Sequence, residues 1–467
     1  MTDRGRPLVP ALIYAALSTA IVSSLGMLLV PSVATAFEVS VSTAQWMLTI
    51  NLLVGAIATP VMGRISDGPH KKRLLLVSLA IILAGSVIAA LAPTFAVFLI
   101  GRALQGLTYG IVPVTIALAR RHAPAERVRS AISSLSVTVA TGIGLGYPLT
   151  GILAGLFDFR FAFWFAVAFV VSAIVVVVRV VPGGRDAEAP TTRFDVPGAV
   201  LLAAGLGGFL LGISEGPTWG WASVATVTVL VAAAGLLVAW VFTELRSASP
   251  LINLRVFRKP DVLLANGTAI GLGAAMYIGL SVTSLVAQAP TATGYGLALP
   301  VFWAGFVMFP LSVGSFTANR LVRPLSRHIR LSTLLPVGAA AMACAGSMLW
   351  LAHDELWQIL VGMLVLGLGM GTSYAAMPAL IARAVAVEEL GSSVSFNQVL
   401  RTVGSSFGTA ISGAVIAVNH SADGRPTATG ISATFGIGAT VCLVVFGALL
   451  AHAVVAGPRS DPAGSSR

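Results

Sequence analysis

Charge is what this chain has least of. Of 467 residues only 28 are Lys or Arg and 17 are Asp or Glu, 10% together, against about 25% in a soluble globular protein. That deficit argues against a soluble fold. Lysine is almost missing: Lys71, Lys72 and Lys259 are followed by Lys, Arg and Pro, so no Gly-Lys-Ser/Thr phosphate loop exists and the chain's work is not driven by its own nucleotide hydrolysis. The two cysteines, Cys344 and Cys442, sit inside long apolar runs, which argues against a disulfide framework. Six scattered histidines show no metal-ligand spacing, and no metal or other cofactor is expected. An enzyme would need convergent acids, histidines or a nucleophile; none is apparent, and the chain is not read as one.

What the chain has is apolar residues, 57% of the total. Runs long enough to cross a bilayer, about 20 residues each, fall at 8–30, 43–63, 74–92, 95–118, 132–156 and 161–181. Six more fall at 262–288, 297–318, 331–352, 356–382, 394–418 and 430–456, with two between the sets at 196–214 and 221–243. The pattern predicts an all-α integral membrane protein of fourteen transmembrane helices: two six-helix halves and two central linker helices. The expected divisions are 1–182, a linker at 183–261, 262–456, and a cytoplasmic tail at 457–467. The first run follows Arg4 and Arg6 and precedes Ala34-Thr35-Ala36, in the manner of a cleavable signal, but its length favours a retained helix.

Basic residues fix the expected orientation. With the amino terminus placed in the cytoplasm, 24 of the 28 Lys and Arg fall on the inner side, Arg160 and Arg425 on the outer, and Arg102 and Arg401 within spans. Both termini are therefore expected to be cytoplasmic, in a cell inner (plasma) membrane. The net charge of +11 then reports on topology and not on nucleic acid, and the partners expected are the lipid bilayer and a small molecule.

Several motifs recur at telling places. Gly63-Arg-Ile-Ser-Asp67-Gly-Pro-His-Lys71-Lys72-Arg73 joins the second and third runs; Arg102-Ala-Leu-Gln105-Gly106-Leu-Thr-Tyr109-Gly110 lies in the fourth; Gly142-Ile-Gly144-Leu-Gly146-Tyr147-Pro148-Leu-Thr-Gly151 lies in the fifth. Gln45-Trp46 opens the second run, Glu244 leads to Pro250-Leu-Ile-Asn-Leu-Arg255, and Asn397-Gln398-Val-Leu-Arg401 opens the thirteenth. Together these resemble the major facilitator superfamily, and within it the fourteen-span drug and metabolite exporters of the drug:proton antiporter-2 type. One departure bears on mechanism. Many of these exporters carry an aspartate nine residues before a proline late in the first span; here Pro31 keeps its spacing to Trp46 and the aspartate's place falls on Val22.

The resemblance implies roles. Gly63, Asp67 and Arg73 would form a conformational latch between the halves, and Gly142, Gly146, Pro148 and Gly151 would pack and seal the cavity. Arg102, Gln105 and Tyr109 are spaced along one helical face. Arg102 reads either as a gating residue or as a structural arginine bonded to backbone carbonyls of the first span. Arg401, with Asn397 and Gln398, recurs in the second half, where snorkelling competes with a substrate role. Tyr277, Ser281 and Gln288 form a polar stripe on the ninth run, and such stripes either line cavities or join helices. Asn51, Tyr147 and Tyr374 complete the candidate cavity. Glu215, at the outer rim, is the best remaining carboxylate for ion coupling, with Arg102 modulating.

The expected function is export of small apolar or amphipathic molecules by alternating access, coupled to protons by analogy, from a monomer. An uncoupled facilitator, a lipid or siderophore mover, and a non-transporting membrane sensor are the alternatives.

Overall fold

The structure, a computed structural model, describes the chain except residues 1–6, 40, 45, 187–194, 248–249, 253, 326–330, 386–389, 420–425 and 457–467. Gln45, Arg425 and the expected tail therefore lie outside the described residues. Among the described residues, fourteen long helices follow one another. The first six are α1 (Leu8–Ala36), α2 (Trp46–Ser66), α3 (Lys71–Leu91), α4 (Phe95–His122), α5 (Ala125–Leu156) and α6 (Arg160–Val180). The linker pair is α7 (Val196–Trp219) and α8 (Val224–Arg246). The rest are α9 (Pro260–Gln288), α10 (Val301–Val322), α11 (Leu331–Leu351), α12 (Leu356–Ala384), α13 (Leu390–Val418) and α14 (Ala428–Ala456).

Among the described residues, thirteen helices are long and apolar enough to cross a membrane. The remaining one, α5, is an unbroken helix of 32 residues that runs through Pro148. At 1.5 Å per residue it extends roughly 48 Å, more than the roughly 30 Å hydrocarbon thickness.

Polar side chains mark the helix ends. Asp195 accepts from the Gly198 amide at 2.8 Å and a proline follows in the first turn of α7. Ser223 caps α8 in the same way, and Glu355 with Gln358 forms a reciprocal capping box on α12. Carbonyls at the end of α3 are met from α6: Arg160 donates to Ala90 O at 3.1 Å and Ala92 O at 2.9 Å. At the other end of the pair, Lys72 donates to Val178 O and Val181 O. Basic residues thus tie these two helices together at both ends.

Two seams join the halves. On one, α5 packs on α10 and α12; on the other, α2 packs on α13. The linker helix α7 lies against both α2 and α13, and covers the second seam. Phe209 of α7 meets Phe407 there, while Trp240 of α8 and Phe257 of the α8–α9 connection both meet Phe396. Glu244, almost fully buried, accepts from the Trp240 indole at 2.9 Å and from the Ile252 amide at 3.4 Å, holding the α8–α9 connection to the pair.

Candidate functional site

Two membrane helices are broken where they approach each other. α1 passes through a tight turn at Met27–Leu29, and α4 through one at Gly106–Gly110. The turn in α4 interrupts the regular helical spacing expected of Arg102, Gln105 and Tyr109. Gln105 turns away toward α3 and donates to Ser86 Oγ at 2.9 Å, while its Oε1 accepts from Arg102 Nη1 at 2.6 Å. Arg102 Nε donates to Met47 O at 3.2 Å, so the carbonyl it holds belongs to α2 and not to α1. Asn51 returns a bond from α2, donating to Arg102 O at 3.1 Å.

One donor of this guanidinium is left over. Arg102 is completely buried, and its Nη2 has no hydrogen-bond partner. Gly26, at the break in α1, lies against that atom: a Cβ built there would stand 2.8 Å from it. Any larger residue would displace the arginine. An unused charged donor is costly to bury; Arg102 is also one of the residues that line a cleft, together with Asn51, Tyr109, Tyr147 and Tyr277.

The cleft, of about 370 Å³, is completed by Ser23, Ser24, Met27, Leu48 and Leu52. The Tyr109 hydroxyl meets Ser23 of α1 and, across the gap between halves, Tyr277 of α9. Tyr147 donates to Met27 Sδ at 3.7 Å. Val22, at the place of the missing aspartate, is fully buried in the apolar core, and serines are its polar neighbours in the cleft. A second space of about 560 Å³ shares Met27, Leu48, Leu52 and Tyr277 with the first and continues to Thr49, Leu210, Ser214, Ser281, Ser406 and Thr409. No aspartate or glutamate is among the residues lining either space.

The other sequence candidates fall elsewhere. Gln288 donates to Ser284 on its own helix and lines neither space. Arg401 pairs with Gln398 and stacks over Tyr374, 4.3 Å from its ring centre. Asn397 donates to Ala265 O at 3.1 Å and Asn266 Oδ1 at 2.9 Å, joining α13 to α9. These four form a buried cluster within the second half. Glu215 is half-buried next to Ser214 on α7 and is not itself a lining residue.

Glycines divide along α5 by face. Gly142 and Gly146 pack on α1 within the first half, against Ala20 and Ser24. Gly151 looks across the seam, where a Cβ would stand 2.8 Å from Phe302 O and 3.0 Å from Gly305 Cα of α10. Gly144 and Gly155 share that face, opposite Ser312 and Phe302. The sequence reading missed Gly155 and Gly305. Of the second space's hydroxyls it named Ser281 and missed Thr49, Ser214, Ser406 and Thr409, although the Ser/Thr-rich stretch 402–412 of an otherwise apolar helix was a usable signal.

At the turn between α2 and α3, burial pushes the Asp67 carboxyl up to about 7, against the opposing pull of Arg64, Arg120 and Lys71. All three cations belong to the first half. Gly63 is buried in the last turn of α2 and Arg73 is exposed on α3. Lys71 pairs with Asp186, beyond α6, at 2.8 Å, and Arg121 lies 3.4 Å from the same carboxylate. Both ion pairs join the first half to the start of the linker.

Two bundles of six, meeting along two seams around a polar cleft, are the architecture of a polytopic membrane transporter. The sequence pattern of the Major Facilitator Superfamily matches residues 11–409, and the chain belongs to that family. Multidrug resistance protein Stp of Mycobacterium tuberculosis is 26% identical over 403 residues, covering 85% of this chain and 73% of that protein. The tetracenomycin C resistance and export protein of Streptomyces glaucescens is 25% identical over 427 residues, covering 89% and 77%. Among solved structures, the human organic anion transporter MFSD10 (TETRAN) superposes with a TM-score of 0.65 at 16% identity, over 96% of this chain and 100% of that one. A POT family transporter in complex with 5-aminolevulinic acid gives 0.68 at 11%, over 96% of both chains. At such identities the structural likeness concerns the fold.

Proposed function

We propose that this transporter exports small apolar or amphipathic molecules, of the drug or secondary-metabolite class, from the cytoplasm or inner leaflet of the plasma membrane by alternating access. It works as a monomer with both termini cytoplasmic and with the divisions 1–182, 183–261, 262–456 and 457–467. The observation that carries this reading is the cleft between the halves, lined by Arg102 and the tyrosines 109, 147 and 277. Met27, Leu48, Leu52 and three tyrosine rings offer apolar contact, and Arg102, Asn51, two serines and the tyrosine hydroxyls offer polar groups, a lining suited to an amphipathic molecule. A positive charge without a carboxylate disfavours organic cations and suits neutral or weakly acidic molecules. The relatives' drug-resistance and export names point the same way.

Proton antiport is the proposed driving force. Its carboxylate is Glu215, which adjoins the Ser214 wall of the second space, with Arg102 modulating. Uncoupled facilitation is the second reading, favoured by Val22 in the aspartate's place and by the carboxylate-free lining. Purified protein in vesicles decides between them, with tetracenomycin C as the first test compound. Accumulation that requires a pH gradient supports antiport; equilibration indifferent to the gradient supports facilitation; no protein-dependent flux of this or a panel of related aromatic compounds overturns the exporter reading.

A further inference from the structure

The second space has a wall that neither half supplies. Leu210 and Ser214 belong to the linker helix α7, and Ser214 Oγ lies 3.1 Å from Thr49 Oγ1 of α2. Apart from the shared Tyr277, every polar group lining this space is an aliphatic hydroxyl: Thr49, Ser214, Ser281, Ser406 and Thr409. No charged side chain lines it.

The hydroxyls are not equivalent. Ser406 donates its hydrogen to Thr402 O at 3.1 Å and Thr409 donates to Ser405 O at 3.0 Å, both along α13. Their protons are committed, so they face the space with lone pairs and can only accept. A bound molecule satisfies them by donating, through a hydroxyl or an amide N–H. Leu210, Leu48, Leu52 and Met27 supply apolar contact for the rest of it. An ammonium also donates, but it meets no carboxylate here, and Arg102 lines the adjoining cleft.

Building on the exporter reading, we propose that this space is a subsite of the transport cavity in which α7 holds the hydroxyl-bearing end of an uncharged amphiphile against Ser406 and Thr409. The linker pair is then part of the binding machinery, and the closure of α7 over the α2–α13 seam shapes which molecules fit.

The probe is apigenin, a planar polyphenol, compared with its trimethyl ether, which has the same skeleton and no donors. Binding to the full chain in lipid nanodiscs is read as quenching of tryptophan fluorescence against empty discs. Two hydrogen bonds predict that the wild-type chain prefers apigenin roughly tenfold. Ser406→Ala with Thr409→Ala removes the preference while retaining the ether's affinity. Ser214→Leu, which fills the space from α7, weakens both probes by at least about tenfold. Equal wild-type affinities, an unchanged preference in the double variant, or wild-type binding by a folded Ser214→Leu chain would each overturn the subsite, as would no saturable binding of either probe. None of these results bears on the vesicle flux of tetracenomycin C, so the exporter reading stands or falls separately.

Discussion

The two arginines within the helices, Arg102 in the first half and Arg401 in the second, are set among the same residue types and end in different situations. Each pairs with a glutamine one turn away, each has an asparagine tying its helix to a neighbour, and each lies near an aromatic ring. Tyr374 stacks at 4.3 Å on Arg401, whereas Phe163 stays 5.8 Å from Arg102. Arg102 lines the cleft between halves with Nη2 unpartnered; Arg401, whose Nε is likewise unpartnered, lines neither space. The difference teaches that residue type alone does not assign a role to an intramembrane charge. What separates the two is their place: Arg102, with Gly26 packed against its Nη2, is at the cleft between the halves, and Arg401 lies inside the second half.

Arg102→Ala makes the sharpest test of this contrast. A hydrogen bond to a charged group contributes about 1.5–3 kcal/mol, so flux should fall roughly 10- to 100-fold in vesicles containing equal amounts of folded protein. Arg401→Ala should reduce flux less than about threefold and show its effect in thermal unfolding, because Gln398 and Tyr374 lose a buried partner at about 1–3 kcal/mol. Equal flux losses in the two variants would erase the distinction.

The turns of the two halves differ as well. The first holds Asp67, while the corresponding Asn319-Arg320-Leu-Val-Arg323 has no acid. The folded Asp67 carboxyl sits at about 7 against an ordinary 3.8, so the folded state binds this proton more tightly than the unfolded chain. Its stabilising contribution is full below 3.8 and is lost as pH rises through about 7. Thermal unfolding followed across that window should show the decline in the wild-type chain and a flatter profile in Asp67→Asn. A smaller effect is expected from Thr49→Val, which removes one half-buried bond to Ser214 worth about 0.5–1.5 kcal/mol. It loosens α7 from α2 and should show as faster proteolysis of the linker.

Much of the fold was legible because membrane helices announce themselves by length and hydropathy, and because caps such as Asp195 mark their starts. The breaks at Met27 and Gly106 were not legible. Neither Gly26 nor Gly106 differs in sequence from the packing glycines around it, and only the neighbouring helix reveals that one makes room for a guanidinium. Candidate residues on one helix, such as Arg102 and Tyr109, could be grouped by spacing, but Gln105 points to Ser86 and Gln288 back to Ser284 because those partners come from the fold. The hydroxyls on α7 and α13 meet across nearly two hundred residues of chain, beyond the reach of any periodicity.

Alternating access requires the glycine seam between α5 and α10 to open, and locking it tests that most directly. A Cβ built on Gly155 stands 2.8 Å from Phe302 Cβ, and a disulfide needs about 3.5–4.5 Å, so Gly155→Cys with Phe302→Cys can be bridged by a slight parting of the helices. With Cys344 and Cys442 replaced by alanine, oxidation should stop flux in vesicles and reduction should restore it. Undiminished flux through a fully cross-linked chain would contradict the account.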